Sequence, residues 1–316
     1  MLNGSQRNTC DANHREIDMD RALALDRRPW ARLKMAIVDL ETPFLDADDT
    51  DRFGQVGTPF EFGYAFENWD GDAEEEAGQL WINPGCQISP EASKHCGLTD
   101  RDLHVIYAAP RFEERLDSML EVMAWADVII GWNFRFDVQW FEEAWKRTRN
   151  TPLLESIPPV LDMMAVTRHL YPRWRSHSLR AAFDELLCKV TEEEATLVAP
   201  GSKATLDCLK ARAVIRHLAQ NERRLTPLWG ELKQLEQRAL EVQDRDGDMF
   251  QGMFRVDSED GKTRWGYGKH AGESLHDTPA SYLEWALGMT KSAGMKWEKY
   301  PPICRQMVEA EWRNRK

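Results

Sequence analysis

No apolar run in this chain approaches the ~20 residues needed to cross a bilayer, so a helical membrane protein is not expected. Cysteine is sparse and unpaired in pattern. Six residues, Cys10, Cys86, Cys96, Cys188, Cys208 and Cys304, are scattered over 316 positions with no CxxC pair. That spacing argues against a zinc site or a disulfide framework, and for reduced thiols in a cytosol-like compartment. Met1 to Arg32 is polar and lacks the apolar core of a signal peptide, so a cytoplasmic location is expected. Positive charge is also short: the net charge is −12, the wrong sign for a protein that coats DNA non-specifically. Acid concentrates in two local runs, Asp46 to Asp51 and Asp70 to Glu76, which read as solvated loops. Basic residues gather elsewhere, at Arg168, Arg173, Arg175 and Arg180 and at Lys203, Lys210, Arg212 and Arg216. A local basic channel therefore stays open.

What is present is enough apolar material for one sizeable core and a smaller unit, with 42% hydrophobic and 30% charged residues. Strands are expected in the stretch Lys34 to Thr42, at Phe60 to Phe66 and at Gln79 to Pro84, the last stopped by Pro-Gly. Ser89 and Pro90 open a short helix as N-cap and first residue. Phe112, Leu116, Met119, Leu120 and Met123 recur at helical spacing. Ala126 to Trp132 is a short buried strand, and it turns through Asn133 into a helix with Asp137, Phe141, Ala144 and Trp145 on one face. Pro158 to Asp162 is a last strand, followed by helices at Ala165 to Leu170 and from the Ser176-His177-Ser178 cap to Cys188. Thr191 to Gly201 reads as an acidic loop. A helix from about Lys203 to Asn221 carries Asp207, Ala211, Val214 and Leu218 on its inner face. Strands first, then strands alternating with helices, give an α/β class: a mixed sheet with helices packed on it.

Four acids fall at the ends of three elements. Asp39 and Glu41, two apart on a strand, project to the same face. Asp137 follows a buried strand, and Asp207 sits in the first turn of a late helix. Adjacent carboxylates at a core's edge are costly unless a cation neutralises them, and hard oxygen donors suit Mg²⁺ or Mn²⁺. Four of them can hold two ions ~4 Å apart, the arrangement that serves phosphodiester cleavage.

In order and wording the chain resembles the DEDD exonucleases of the ribonuclease H-like fold, in particular the group related to the proofreading subunit of bacterial polymerase III. Asp39-Leu40-Glu41-Thr42 is similar to that family's first motif and Asn133-Phe134-Arg135-Phe136-Asp137 to its second. Ile82-Asn83-Pro84-Gly85, Ile88-Ser89-Pro90-Glu91-Ala92, Gly97-Leu98-Thr99-Asp100, Leu170-Tyr171-Pro172 and Ser176-His177-Ser178-Leu179 resemble its connecting segments. The resemblance spans about residues 34 to 220. It implies a ribonuclease H-like mixed sheet flanked by helices and 3′→5′ exonuclease activity on single-stranded or 3′-ended nucleic acid, DNA in the first instance, with two Mg²⁺ or Mn²⁺ ions. It further implies that Asp39 bridges both ions, that Glu41 and Asp207 complete one site and Asp137 the other. Thr42 to Phe44 would line the 3′-nucleotide pocket. Phe44 either stacks a base or folds back onto the core. Asn133, Lys203 and Lys269 are further candidates for contact with nucleic acid.

One departure matters most. The family places His five residues before the last Asp or Tyr four before it, and this chain has Ser202 and Lys203 there. Serine is no base at neutral pH without an activator. Impaired turnover, substitution by Lys203 or recruitment of another histidine are the three ways to account for it. His177 sits in a family cap context, which favours a structural role. Residues 1–33 read as a polar leader, 34–222 as the exonuclease domain, 223–255 as a helical linker with a Leu228, Leu232, Leu235 and Ala239 seam, and 256–316 as a small α+β module. That module carries Trp265-Gly266-Tyr267-Gly268-Lys269-His270-Ala271-Gly272, which resembles one appended to some exonuclease X-like proteins. Thr278 is expected as a helix N-cap, with Tyr282, Trp285 and Ala286 facing inward. The alternative function is a catalytically silent homologue that binds nucleic acid ends or a polymerase-like or repair partner. A ribonuclease acting on RNA ends is a third.

Overall fold

The structure, a computed structural model, describes residues 24–44, 49–68, 76–149, 153–225, 228–250, 252–257, 260–290, 292 and 294–315. Cys10 and most of the polar leader, with residues 46–48 and 70–75 of the two acidic runs, lie outside the described residues.

Five strands form a mixed sheet in the order β3-β2-β1-β4-β5. They are β1 (Met35–Glu41), β2 (Glu61–Glu67), β3 (Ala77–Trp81), β4 (Val128–Gly131) and β5 (Val160–Asp162). β1 pairs antiparallel with β2 and parallel with β4. Its central place follows from its residues, of which every one except Asp39 is buried, as a strand covered on both faces requires. The helix Phe112–Ala124 buries Phe112, Leu116, Met119 and Met123, the face expected from the periodicity. The helix Phe134–Lys146 buries Asp137, Phe141, Ala144 and Trp145 together. Asn133, entering it, is left-handed at φ 60°, a conformation Asn tolerates better than most side chains. Ser89 caps the helix Pro90–Cys96 and Ser178 caps the helix Leu179–Glu185, both as expected.

The long helix Ala204–Asn221 lies directly on β2, and one residue makes the approach possible. A Cβ on Gly63 would sit 2.4 Å from the Ala204 carbonyl carbon and 2.5 Å from the Thr205 nitrogen. Gly63 is paired across β1 with Asp39, so the close approach occurs where the acids are.

Three expectations need correction. Thr191 to Gly201 is not all loop: Glu192–Thr196 is helical, started by a capping box in which Thr191 and Glu194 satisfy each other's backbone N–H groups. The Thr-x-x-Glu spacing was visible in the sequence. Second, Arg212 and Arg216 are not available to a phosphate. Arg212 is fully buried and paired with Glu194 at 2.8 Å, and Arg216 reaches Glu67 at 2.6 Å and Glu194 at 3.1 Å. Third, Thr278 does not cap the helix Ala280–Ala286, whose N-cap is Pro279. Its hydroxyl instead donates to the Ser274 carbonyl and accepts from the Trp265 indole N–H. On that helix Leu283 and Ala286 are buried, while Tyr282 and Trp285 are only partly covered.

The chain divides into two compact units, Met1–Leu161 with Lys189–Gln234, and Asp162–Cys188 with Leu235–Lys316. The first holds the sheet and its core, including Val38, Leu40, Phe62, Phe112, Trp140 and Phe141. The second packs Met253, Phe254, Trp265, Leu283, Cys304 and Val308 around the hairpin of β6 (Phe254–Val256) and β7 (Thr263–Trp265). The helix Trp229–Phe250 runs through the point where the division falls. Among the described residues no helix is long and apolar enough to cross a membrane, and Cys86, Cys96, Cys188, Cys208 and Cys304 are free thiols.

Candidate metal centre

β1 delivers Asp39 and Glu41 on the same face, and the first turn of the helix Ala204–Asn221 delivers Asp207. Each of the three offers an oxygen within 4.8 Å of the others. Asp137 is outside that trio. Its carboxylate is buried in the first turn of its own helix and accepts a hydrogen bond from the Leu40 backbone N–H at 2.9 Å. It is nevertheless felt at the centre. The Asp39 carboxyl is held well above the usual carboxylate range by burial first, then by the charges of Asp137, Glu41 and Asp207. Burial likewise raises Glu41, against the opposing pull of Lys203. Burial disfavours the charged form of both carboxylates, and at Asp39 the neighbouring acids add to it. Oxygen-only donors of this kind are the set that takes hard divalent ions such as Mg²⁺ or Mn²⁺.

Lys203 lies among these acids, its side chain partly buried. Its Nζ is 3.0 Å from Glu41 Oε1 and 3.6 Å from Asp207 Oδ2, and it also meets His95 Nε2 at 2.5 Å. Burial alone would lower its pKa, but Glu41, Asp207 and Asp39 together raise it. Lys210 holds the other Asp207 oxygen at 2.7 Å. His95, at the end of the helix Pro90–Cys96, was not among the sequence candidates.

Ser202 is buried and its hydroxyl donates to Glu61 Oε1, turned toward β2. Glu61 is a second residue that sequence reasoning missed. It is completely buried, stands opposite Glu41 in the β1–β2 register, and accepts the Lys203 backbone N–H at 3.2 Å. The helix Ala204–Asn221 has no side-chain cap of its own, so Glu61 supplies the acceptor its first turn needs. Burial pushes the Glu61 carboxyl up to about 7 in spite of the Ser202 hydrogen bond. A carboxyl raised on folding contributes stability that is present below its unfolded value and is lost as pH rises through its folded one. The slope reaches at most ~1.4 kcal/mol per pH unit. Urea unfolding in EDTA should therefore show stability falling between about pH 5 and about pH 7, and Glu61→Gln should flatten that fall. An unchanged slope in the variant would assign the effect elsewhere.

The remaining candidates disperse. The Thr42 hydroxyl donates to the Phe44 carbonyl at 2.8 Å, and the Phe44 ring is 9% exposed within the core cluster. The fold-back alternative therefore describes Phe44, because its ring gains more from the core than from solvent. Asn133 is exposed beside the turn into its helix. His177, Lys269 and His270 belong to the second unit. His177 is buried, its Nε2 2.9 Å from the Tyr171 carbonyl oxygen, and burial takes it down to about 4, which suits a structural role. Lys269 is exposed, while His270 turns inward onto Glu273 at 2.7 Å.

Residues 36–193, half of the chain, match the sequence model of the RNase_T family, described as Exonuclease. The chain belongs to the exonuclease family. Its family chemistry is that of a nuclease acting on nucleic acid ends. The matched span contains Asp39, Glu41 and Asp137 and stops short of Ser202 and Asp207. A search of curated protein sequences finds no match. Solved structures similar to this exonuclease include exonuclease X in complex with 5′ overhanging duplex DNA, at 17% identity and TM-score 0.44, covering 63% of this chain and 98% of that one. A 3′-exonuclease with 3′-end specific recognition of a histone mRNA stem-loop is 13% identical at TM-score 0.47, over 71% and 78% of the two chains. Exonuclease I of E. coli in complex with a dT13 oligonucleotide is 15% identical at TM-score 0.45, over 60% and 42%.

Proposed function

We propose that this exonuclease is a divalent-metal-dependent 3′→5′ enzyme that shortens single-stranded or 3′-ended nucleic acid, DNA before RNA, with Asp39, Glu41, Asp137 and Asp207 holding two Mg²⁺ or Mn²⁺ ions. The observation that carries the reading is the convergence of Asp39, Glu41 and Asp207 on one another, on a fold whose family name is exonuclease. Bound ions would supply Lewis-acid stabilisation of phosphate charge. The chain's own part is to hold the oxygens. The Leu40 N–H fixes Asp137, the β1 pleat aligns Asp39 with Glu41, and Glu61 anchors the turn that carries Asp207. Residues 34–222 would form the nuclease domain, 223–255 a linker and 256–316 an accessory module whose exposed Lys269 meets phosphate. A role in DNA repair, degradation or proofreading, with a polymerase or repair partner, is consistent with such an activity.

The position of Ser202 favours one rival reading, a silent homologue that binds ends without cutting them. Its hydroxyl is committed to Glu61 and offers no imidazole to activate a water, a role worth ~10²–10⁴-fold. Oligonucleotides labelled at the 3′ or 5′ end, incubated with Mn²⁺, Mg²⁺ or EDTA, separate the two. The expected result is metal-dependent loss of the 3′ label, slow in the parent and ~10²-fold faster in Ser202→His. End binding without product in either metal would support the silent homologue. Equal rates in parent and variant would count against a missing base.

A further inference from the structure

Lys203 is an odd choice for its position. It is the N-cap of the helix Ala204–Asn221, the positive end of the helix dipole, where a cation is disfavoured. Burying so flexible a side chain also costs rotamer freedom. Both penalties need a local reward, and the contacts show what it is. The ammonium bridges Glu41 Oε1 at 3.0 Å and Asp207 Oδ2 at 3.6 Å. Those are two of the three acids whose oxygens converge within 4.8 Å. Asp207's other oxygen is taken by Lys210. The cluster is thus partly neutralised from within, and the lone pairs that an ion would need on Glu41 and Asp207 already face an ammonium.

We propose that Lys203 is a resident counter-cation of this site, so that a divalent ion binds Glu41 and Asp207 only by displacing the lysine. The inference rests on the metal-binding reading above and deepens it. His95 is a partner outside the acids that the ammonium already touches and can keep when it gives up the carboxylates. Its Nε2 is within hydrogen-bond reach of Lys203 Nζ, and the imidazole is exposed. Metal occupancy then depends on an exchange between two cations, not on filling a ready cavity. The site is weaker for metal than its three carboxylates alone would make it, and the metal-free protein is spared the full repulsion of its acids.

The test is Mn²⁺ titration of the full chain, read from the free-ion EPR signal and by calorimetry, in the parent, Lys203→Met, Lys203→Gln, Lys203→Arg and Asp207→Asn proteins. Lys203→Met and Lys203→Gln should bind Mn²⁺ at least tenfold more tightly than the parent, whereas Lys203→Arg, which keeps the charge, should not. Thermal unfolding gives a second readout: Mn²⁺ should raise the midpoint more in Lys203→Met than in the parent, including where that variant is poorly stable without metal. Mn²⁺ binding in Lys203→Met and Lys203→Gln equal to or weaker than in a parent that does bind would overturn the displacement while leaving the metal site standing. Absence of Mn²⁺ binding in the parent and every variant would overturn both.

Discussion

Replacing Asp39 with Asn is expected to remove metal-dependent hydrolysis, by at least ~10³-fold, and at the same time to make the metal-free protein harder to unfold. The two effects have one cause. Asp39 is raised well above its ordinary range by burial and then by Asp137, Glu41 and Asp207, so its charge is a burden on the folded state until a cation relieves it. An amide of the same shape removes that burden, so the variant should gain stability at neutral pH and above. Because the folded carboxyl holds its proton more tightly than the unfolded one, the gain should vanish as pH falls below the unfolded value. The amide also forfeits the central anionic donor. A loss of several kcal/mol of charge stabilisation is then expected, each ~1.4 kcal/mol being tenfold in rate. Urea midpoints in EDTA across pH, beside hydrolysis rates at saturating Mn²⁺, check both. A variant that kept its rate, or that was less stable than the parent in EDTA at high pH, would sink the account.

The largest stability effect should come from Glu194. Its carboxylate receives Arg212 at 2.8 Å and Arg216 at 3.1 Å, and the Arg212 guanidinium also donates to the Phe66 carbonyl at 3.0 Å. Both the Arg212 and Glu194 side chains are essentially inaccessible, at 0% and 3% exposed. Arg212 Nε is buried with no hydrogen-bond partner among the described residues. Truncating Glu194 to Ala leaves the guanidinium buried and uncompensated, a cost of ~3–5 kcal/mol. Removing both charges together, as Arg212→Met with Glu194→Leu, should recover most of it, since a well-packed apolar pair replaces a buried ion pair at little net cost. A double-mutant cycle from denaturant unfolding measures the coupling. A single-variant cost below ~1 kcal/mol would show that the pair contributes little.

These cases also show what could be read before the structure and what could not. Asp39 and Glu41 were legible because a two-residue spacing on an apolar strand fixes a shared face. Asp137 and Asp207 were legible as acids at the ends of periodic segments. The inner faces of the helices Phe112–Ala124 and Phe134–Lys146 followed from their spacing. Glu61 was opaque: on its own strand it is one acid among apolar residues. Its importance comes from lying opposite Glu41 and beneath the turn at Ser202, a matter of register and chain crossing. His95 and Lys203 are far apart in sequence and meet only because one helix ends where another begins, beside Glu41 at the end of β1. Lys203, Lys210, Arg212 and Arg216 read as one basic run, yet the fold divides them between the acids of the candidate metal centre and a buried network. A linear sequence shows that these charges exist, but their partners are set by packing.

Gly63 has a consequence beyond the contact it permits. The missing side chain lets Ala204 and Thr205, which begin the helix that carries Asp207, close onto the sheet, so it acts as a spacer gauge for the acidic cluster. At the proposed metal site, the choice between a small ion and a larger one could then be retuned at a residue that carries no chemistry, with every carboxylate left in place.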